Sequence, residues 1–290
     1  MAYETGRTVI DLLKICYVAD SDILSDLKYL NPGQYLDFGD FRFRRTTSHH
    51  FQYAYDVYTG ETGDIMILAT ARFGRYGDSE ESGYFFYRIA NRVLYDRGLL
   101  EFTLSIPESL GMVFHNFTAM DIAIDTKTDM ALMMKRLWHR DDITTIINGK
   151  AVRDRKAVVK NLNLVYSTSL DRMKYLTVNV KQAKAAHDKT KGITVQAYNK
   201  MREIEESSHK DYIREYYGNP KRLYRLEVRL NNAEIQDYCR RQGIIPGLDM
   251  VYDEDMLSGI FYYHLSSVIR YTKGREKLDW KYLIARNGKV

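Results

Sequence analysis

From Phe41 to Val57 the apolar side chains fall at every second position: Phe41 and Phe43, then Phe51, Tyr53, Tyr55 and Val57. A period of two is strand spacing with one buried face. Upstream, Val9 to Tyr17 is apolar enough for a strand or a short helix. A helix is expected from Ser21 to Leu30, ended by the turn Asn31-Pro32-Gly33. Downstream, Gly60-Glu61-Thr62-Gly63 reads as a turn into a strand from Asp64 to Arg72, followed by a polar loop from Gly74 to Gly83. Tyr84 to Ile89, Arg92 to Tyr95 and Leu99 to Ile106 are all expected as strands.

The pattern then mixes. Pro107 is placed in the first turn of a helix from Glu108 to Phe114. Thr118 to Thr126 reads as a strand, and Asp129 to Trp138 as a helix with an acidic start. Leu162 to Tyr166, Tyr175 to Val180, Gly192 to Lys200 and Leu223 to Leu230 are strand candidates. Asn231-Asn232 caps a helix through Arg241, and an apolar stripe that includes His264 marks a long helix from Asp253 to about Tyr271. The spacing makes His264 a core or rim residue. Strands joined by turns, without a βαβα rhythm, predict an α+β fold: an antiparallel sheet with helices mainly on one face. Three parts are expected: a strand-rich part over 1–110, a core over 111–245 and a helical extension over 246–290.

Composition narrows the function. The 290 residues can bury a substantial core, and 45% hydrophobic with 28% charged residues is ordinary for a globular chain. Tyrosines outnumber phenylalanines 24 to 11, which suits sheet faces that are half apolar and half wet. A net charge of +5 permits nucleic-acid binding without requiring it. Two cysteines and no CxxC pair argue against a disulfide framework or a zinc ribbon. No leader-like opening and no apolar run of membrane length is present, so the expectation is a cytoplasmic protein without a membrane partner.

Three strands carry the candidate chemistry. In Asp121-Ile122-Ala123-Ile124-Asp125 the two aspartates share one face and the isoleucines the other. Carboxylates that close call for a metal ion or a basic partner if the face is partly buried. In Val195 to Lys200, Gln196, Tyr198 and Lys200 share a face, with Glu203 just beyond. A phenol is a weak nucleophile near neutral pH, and an adjacent ammonium or metal stabilises its phenolate. In Arg225-Leu226-Glu227-Val228-Arg229 a carboxylate lies between two guanidiniums on one face. All three strands are expected to turn an apolar face inward and a charged face outward. As neighbours in one sheet they would assemble the parts for metal-assisted phosphoryl transfer to tyrosine.

The order DIAID at 121–125, AYNKMRE at 197–203 and RLEVRL at 225–230 resembles the replication initiation factor (Rep_trans-type) family of plasmid and phage rolling-circle initiators. The gene II/X replication proteins of filamentous phages are similar in the same places, and the resemblance covers roughly 112–241. It implies a metal-dependent endonuclease that nicks one origin strand and leaves a 5′-phosphotyrosine. Carried over, Tyr198 is the nucleophile and Lys200 steadies the phenolate or the scissile phosphate. Asp121, Glu203 and Glu227, with Asp125 as a fourth, are the ligands of Mg²⁺ or Mn²⁺. Arg225, Arg229, Lys181, Lys184 and Lys191 are expected to contact DNA, with Lys189, Arg153, Arg155, Lys156 and Lys160 as further backbone contacts. The implied partners are origin DNA, single-stranded or as an extruded hairpin, a host helicase and polymerase, and a second copy of the chain.

Rival readings are a non-catalytic origin-binding protein and a tyrosine relaxase or transposase of a mobile element. The nicking class that uses a His-hydrophobic-His metal motif is disfavoured, because His49 and His50 are adjacent and would point to opposite faces of a strand. A small-molecule enzyme is disfavoured by the lack of a Gly-rich phosphate loop or nucleophile elbow.

Overall fold

The computed structural model describes residues 6–19, 21–59, 66–76, 83–151, 165–166, 176–181 and 192–286, with backbone alone for 21–23, 165–166 and 176–181. The chain forms two compact units. One is Asp11–Met120; the other joins the chain up to Ile10 with everything from Asp121 onward.

The Asp11–Met120 unit is an antiparallel sheet in the order β1-β6-β5-β4-β3-β2. Its strands are β1 (Thr8–Val18, entering from the other unit), β2 (Tyr35–Asp37), β3 (Phe41–Thr46), β4 (Phe51–Thr59), β5 (Ile67–Arg75) and β6 (Tyr84–Ile89). One face buries Ile15, Phe43, Tyr55, Ala71, Phe73, Phe85 and Tyr87. Helix α1 (Ser21–Lys28) is tied to it by the Tyr55 hydroxyl, which donates to the Leu27 carbonyl at 2.7 Å. The expected strands at Arg92–Tyr95 and Leu99–Ile106 are instead a 3-10 turn, Asn91–Tyr95, and helix α2, Arg97–Ser109. Asp96 decides the second case: its side chain accepts from the Leu99 N–H at 3.1 Å and caps the helix. Pro107 lies in the last turn of α2, and the next residues enter β7 (Val113–Thr126), so no helix spans Glu108 to Phe114.

In the second unit the main sheet runs β10-β11-β12-β13-β7. Here β10 is Val165–Tyr166, β11 Leu176–Lys181, β12 Thr194–Asn199 and β13 Tyr224–Asn231. The β10–β11, β11–β12 and β12–β13 pairs are antiparallel. Helix α3 (Met130–His139) packs against β11, β12 and β13 with Met130, Met133, Met134 and Leu137 buried. The inward apolar residues Ile122, Ile124, Val195, Ala197, Leu226 and Val228 are wholly buried, and each of them but the alanine is worth about 1.5–3 kcal/mol against exposure.

After β12 come the short helix α4 (Lys200–Glu203), a π-turn over Ile204–Ser208 and α5 (Asp211–Tyr216). Helices α6 (Asn232–Gln242, capped by the Asn231 side chain) and α7 (Glu254–Val268) pack against each other and β13. Beyond α7 the chain does not remain helical to Tyr271 but enters β14 (Ile269–Lys273). That strand joins β8 (Ile143–Ile147), β9 (Lys150–Ala151) and β15 (Glu276–Lys277) in a small second sheet, before α8 (Trp280–Ala285). His264 is buried on α7 beside Tyr238 and Tyr263, a core position. The fold is therefore α+β, with antiparallel sheet and helices in both units. Among the described residues no helix is long and apolar enough to cross a membrane.

Candidate functional site

The site is built on β12, β13 and β7. The β12–β13 register sets Tyr198 against Arg225, Gln196 against Glu227 and Thr194 against Arg229, which puts all six on one face. Strand β7 lies next to β13 and adds Asp121 and Asp125. The sequence-predicted neighbours do share one sheet.

Their charged face is not turned to solvent as expected. Arg225, Asp125 and Glu227 have no exposed surface, and Lys200 is 1% exposed. Buried charges must be paired, and the pairing divides the face into three groups.

In the first, Arg225 grips Asp125 in a two-pronged ion pair, Nε to Oδ1 at 2.7 Å and Nη2 to Oδ2 at 2.5 Å. Asp125, expected as a metal ligand, gives its carboxylate to a guanidinium, and Arg225, expected on the DNA, has no exposed surface. Tyr217, just beyond α5, lies beside the pair. Its phenol is pushed far above the ordinary range, first by burial and then by the Asp125 carboxylate, with Arg225 opposing. No spacing in the sequence marks Tyr217; the contact exists only in three dimensions.

In the second group, β12 stops at Asn199, whose side chain accepts from the Arg202 N–H at 3.1 Å and starts α4. Lys200 is therefore a helical residue and not the next outward residue of a strand. Its Nζ is 2.9 Å from Glu203 and 5.7 Å from the centre of the Tyr198 ring, so the ammonium comes near the ring from a helix and not from the strand face. Glu203 is engaged by Lys200.

The third group carries the exposed part of the face, Arg229, beside the buried Glu227 and Asp121. The Tyr198 hydroxyl donates to Glu227 Oε2 at 2.9 Å, and Arg229 Nε donates to Glu227 Oε1 at 2.6 Å. The same Nε lies 3.4 Å from Asp121 Oδ2. Burial works against the Arg229 charge, but Glu227, Asp121 and Tyr198 outweigh it and hold the guanidinium above its ordinary range. Half the Arg229 side chain is exposed.

The carboxylates therefore do not meet as a set of four. Among the described residues no three His, Cys, Asp or Glu side chains converge as a metal-ligand group. Asp121 and Glu227 fit a divalent ion. Both reach one cation, Arg229, and both offer the hard oxygen ligands that Mg²⁺ and Mn²⁺ prefer. Asp125 does not fit. Of the expected basic contacts, Lys181 is described by backbone alone, paired with Thr194. Lys184, Lys189, Lys191, Arg153, Arg155, Lys156 and Lys160 lie outside the described residues.

No family model matches the sequence, and a search of curated proteins finds no match. Among solved structures the chain is similar to a rolling circle replication initiator protein from Geobacillus stearothermophilus. The two are 12% identical, with a TM-score of 0.48, over 97% of this chain and 96% of that one.

Proposed function

We propose that this chain is a DNA nicking–joining protein of the rolling-circle initiator kind, with Tyr198 as nucleophile. The observation that carries the reading is the Tyr198 hydroxyl donating to Glu227 at 2.9 Å, on a face that also holds Asp121 and Arg229. A nucleophile hydrogen-bonded to a base that a third group orients is the arrangement covalent catalysis requires. Glu227 takes the phenolic proton as Tyr198 Oη attacks phosphorus, and Arg229 orients the carboxylate. The bond from phosphorus to the 3′ oxygen breaks. The products are a 5′-phosphotyrosine and, once the oxygen is protonated, a 3′-OH that can prime a host polymerase. The aryl phosphodiester conserves the bond, so a later 3′-OH can reseal the strand and return the proton to Tyr198.

Lys200, fixed by Glu203 beside the Tyr198 ring, favours the phenolate. Asp121 and Glu227 Oε1, the carboxylate oxygen not bonded to Tyr198, would hold Mg²⁺ or Mn²⁺ in the place Arg229 takes here; the ion would then orient Glu227 in the guanidinium's stead and would polarise a phosphate oxygen.

The test is to incubate the protein and its Tyr198→Phe variant with Mn²⁺ or Mg²⁺ and supercoiled DNA carrying the candidate origin. A metal-dependent nick with an SDS-resistant protein–DNA adduct, absent in the variant, is expected. Binding without a nick in either protein, on a verified origin, sinks the nucleophile and favours a non-catalytic origin-binding protein.

A further inference from the structure

The Asp11–Met120 unit has a second sheet face opposite its core, open among the described residues. Strands β1, β6, β5 and β4 cross it over about 14 Å at ordinary strand spacing. A shallow groove of about 180 Å³ lies on it, lined by Lys14, Thr70, Arg72, Phe86, Arg88 and Phe51 among others, and no carboxylate of the described residues lines it. The register places Lys14 directly opposite Arg88, and Phe86 directly opposite Arg72. Among the described residues, Arg72 and Arg88 form no ion pair. Both are exposed.

The aromatics are arranged to match. Phe51 and Phe86 meet edge to face at 5.5 Å, and the Arg72 guanidinium lies 6.0 Å from the Phe51 ring centre. Both rings are only part-buried. Aromatic faces beside guanidiniums on an open antiparallel sheet suit unstacked bases with their phosphates alongside. A duplex offers phosphates but keeps its base faces stacked inside, so it would leave both phenylalanines unused.

We infer that this face is a binding site for single-stranded DNA, with Phe86 and Phe51 as stacking platforms and Lys14, Arg72 and Arg88 on the phosphates. None of its residues belongs to the Tyr198 site, and the face does not need that site to be catalytic; the choice of DNA over RNA rests on the function proposed above.

The test is fluorescence anisotropy on the full chain in EDTA, with a labelled single-stranded oligonucleotide, a duplex of the same sequence and an RNA of the same sequence. Arg72→Glu/Arg88→Glu is expected to weaken the single strand roughly tenfold or more. It should also flatten the salt dependence by about 0.7 for each phosphate that is no longer neutralised. Phe86→Leu, which keeps the apolar bulk but removes the stacking plane, is expected to weaken it several-fold, while Arg72→Lys/Arg88→Lys retains most of the affinity. Wild-type affinity in the double charge reversal overturns the site. Duplex bound as tightly as the single strand overturns the choice of single strand, and RNA bound more tightly than DNA overturns the choice of DNA. Because no cleavage occurs in EDTA, this result and the Tyr198→Phe result can fail separately.

Discussion

Tyr198 and Glu227 are on paired strands but not opposite each other. The pairing sets Tyr198 against Arg225 and Gln196 against Glu227, and the phenol crosses diagonally to reach the carboxylate at 2.9 Å. The position directly opposite Tyr198 is taken by a guanidinium that turns away to Asp125. One strand therefore supplies both one half of a structural ion pair and the group that engages the hydroxyl.

The structural half of that division has a stability signature. Removing one partner of an enclosed pair leaves the other charged and desolvated, so Arg225→Ala or Asp125→Ala should each cost about 3–5 kcal/mol. Replacing both, as Arg225→Met with Asp125→Leu, should recover most of the loss. Urea unfolding of the two single variants and the double variant measures this; a single variant as stable as the parent refutes it.

The open half should respond to metal. If a divalent ion takes the place of Arg229 between Asp121 and Glu227, Arg229→Gln removes the competing cation and tightens Mn²⁺ binding. Glu227→Gln weakens it. Titration calorimetry or the electron spin resonance of Mn²⁺ reads both without any DNA, and equal affinity in all three proteins counts against this pair as ligands.

Lys200 gives a kinetic prediction. In the proposed mechanism the buried ammonium, 5.7 Å from the Tyr198 ring centre, stabilises the attacking phenolate. Lys200→Met should slow nicking at neutral pH by roughly tenfold, with the deficit narrowing as pH rises toward the ordinary phenol range near 10. A deficit that is constant with pH would make Lys200 a packing residue only.

Alkaline pH should unfold the protein for reasons unrelated to the site. Burial pushes the Tyr55 phenol up to about 12, with the neighbouring Arg45 opposing. Burial, then Asp279, pushes Tyr262 up to about 12. Tyr87 and Tyr271, fully enclosed, are raised further. These phenols stay protonated in the folded chain and ionise near 10 in the unfolded one. Their stability contribution is whole below about pH 10 and is lost as pH climbs from there through the folded values. Denaturant midpoints measured from pH 8 to 12 should hold and then fall; a flat profile would refute it.

Alternation made the strands legible, because period two survives wherever one face is apolar: Phe41–Thr46, Phe51–Thr59, Tyr84–Ile89 and Tyr224–Asn231 lie where the pattern puts them. It also made legible that Asp121, Tyr198 and Glu227 share a sheet face. It could not show whether that face is wet. Arg225 and Asp125 are 100 residues apart, and only folding brings them together to satisfy each other. Leu99–Ile106 failed for a local reason: a short apolar run reads as strand or buried helix until a cap decides, and Asp96 is that cap. Lys200 failed similarly, at the boundary where Asn199 ends the strand and begins a helix.

The β12–β13 register also bears on which length changes the chain tolerates. Deleting or inserting one residue within β12 would exchange its two faces, sending Tyr198 to the side of Val195 and Ala197 and bringing an apolar residue up beside Glu227. Such a change does not weaken the site by degrees; it turns the strand inside out. Homologous sequences should therefore keep the spacing from Thr194 to Asn199 without gaps, and place their insertions and deletions in the connections between strands.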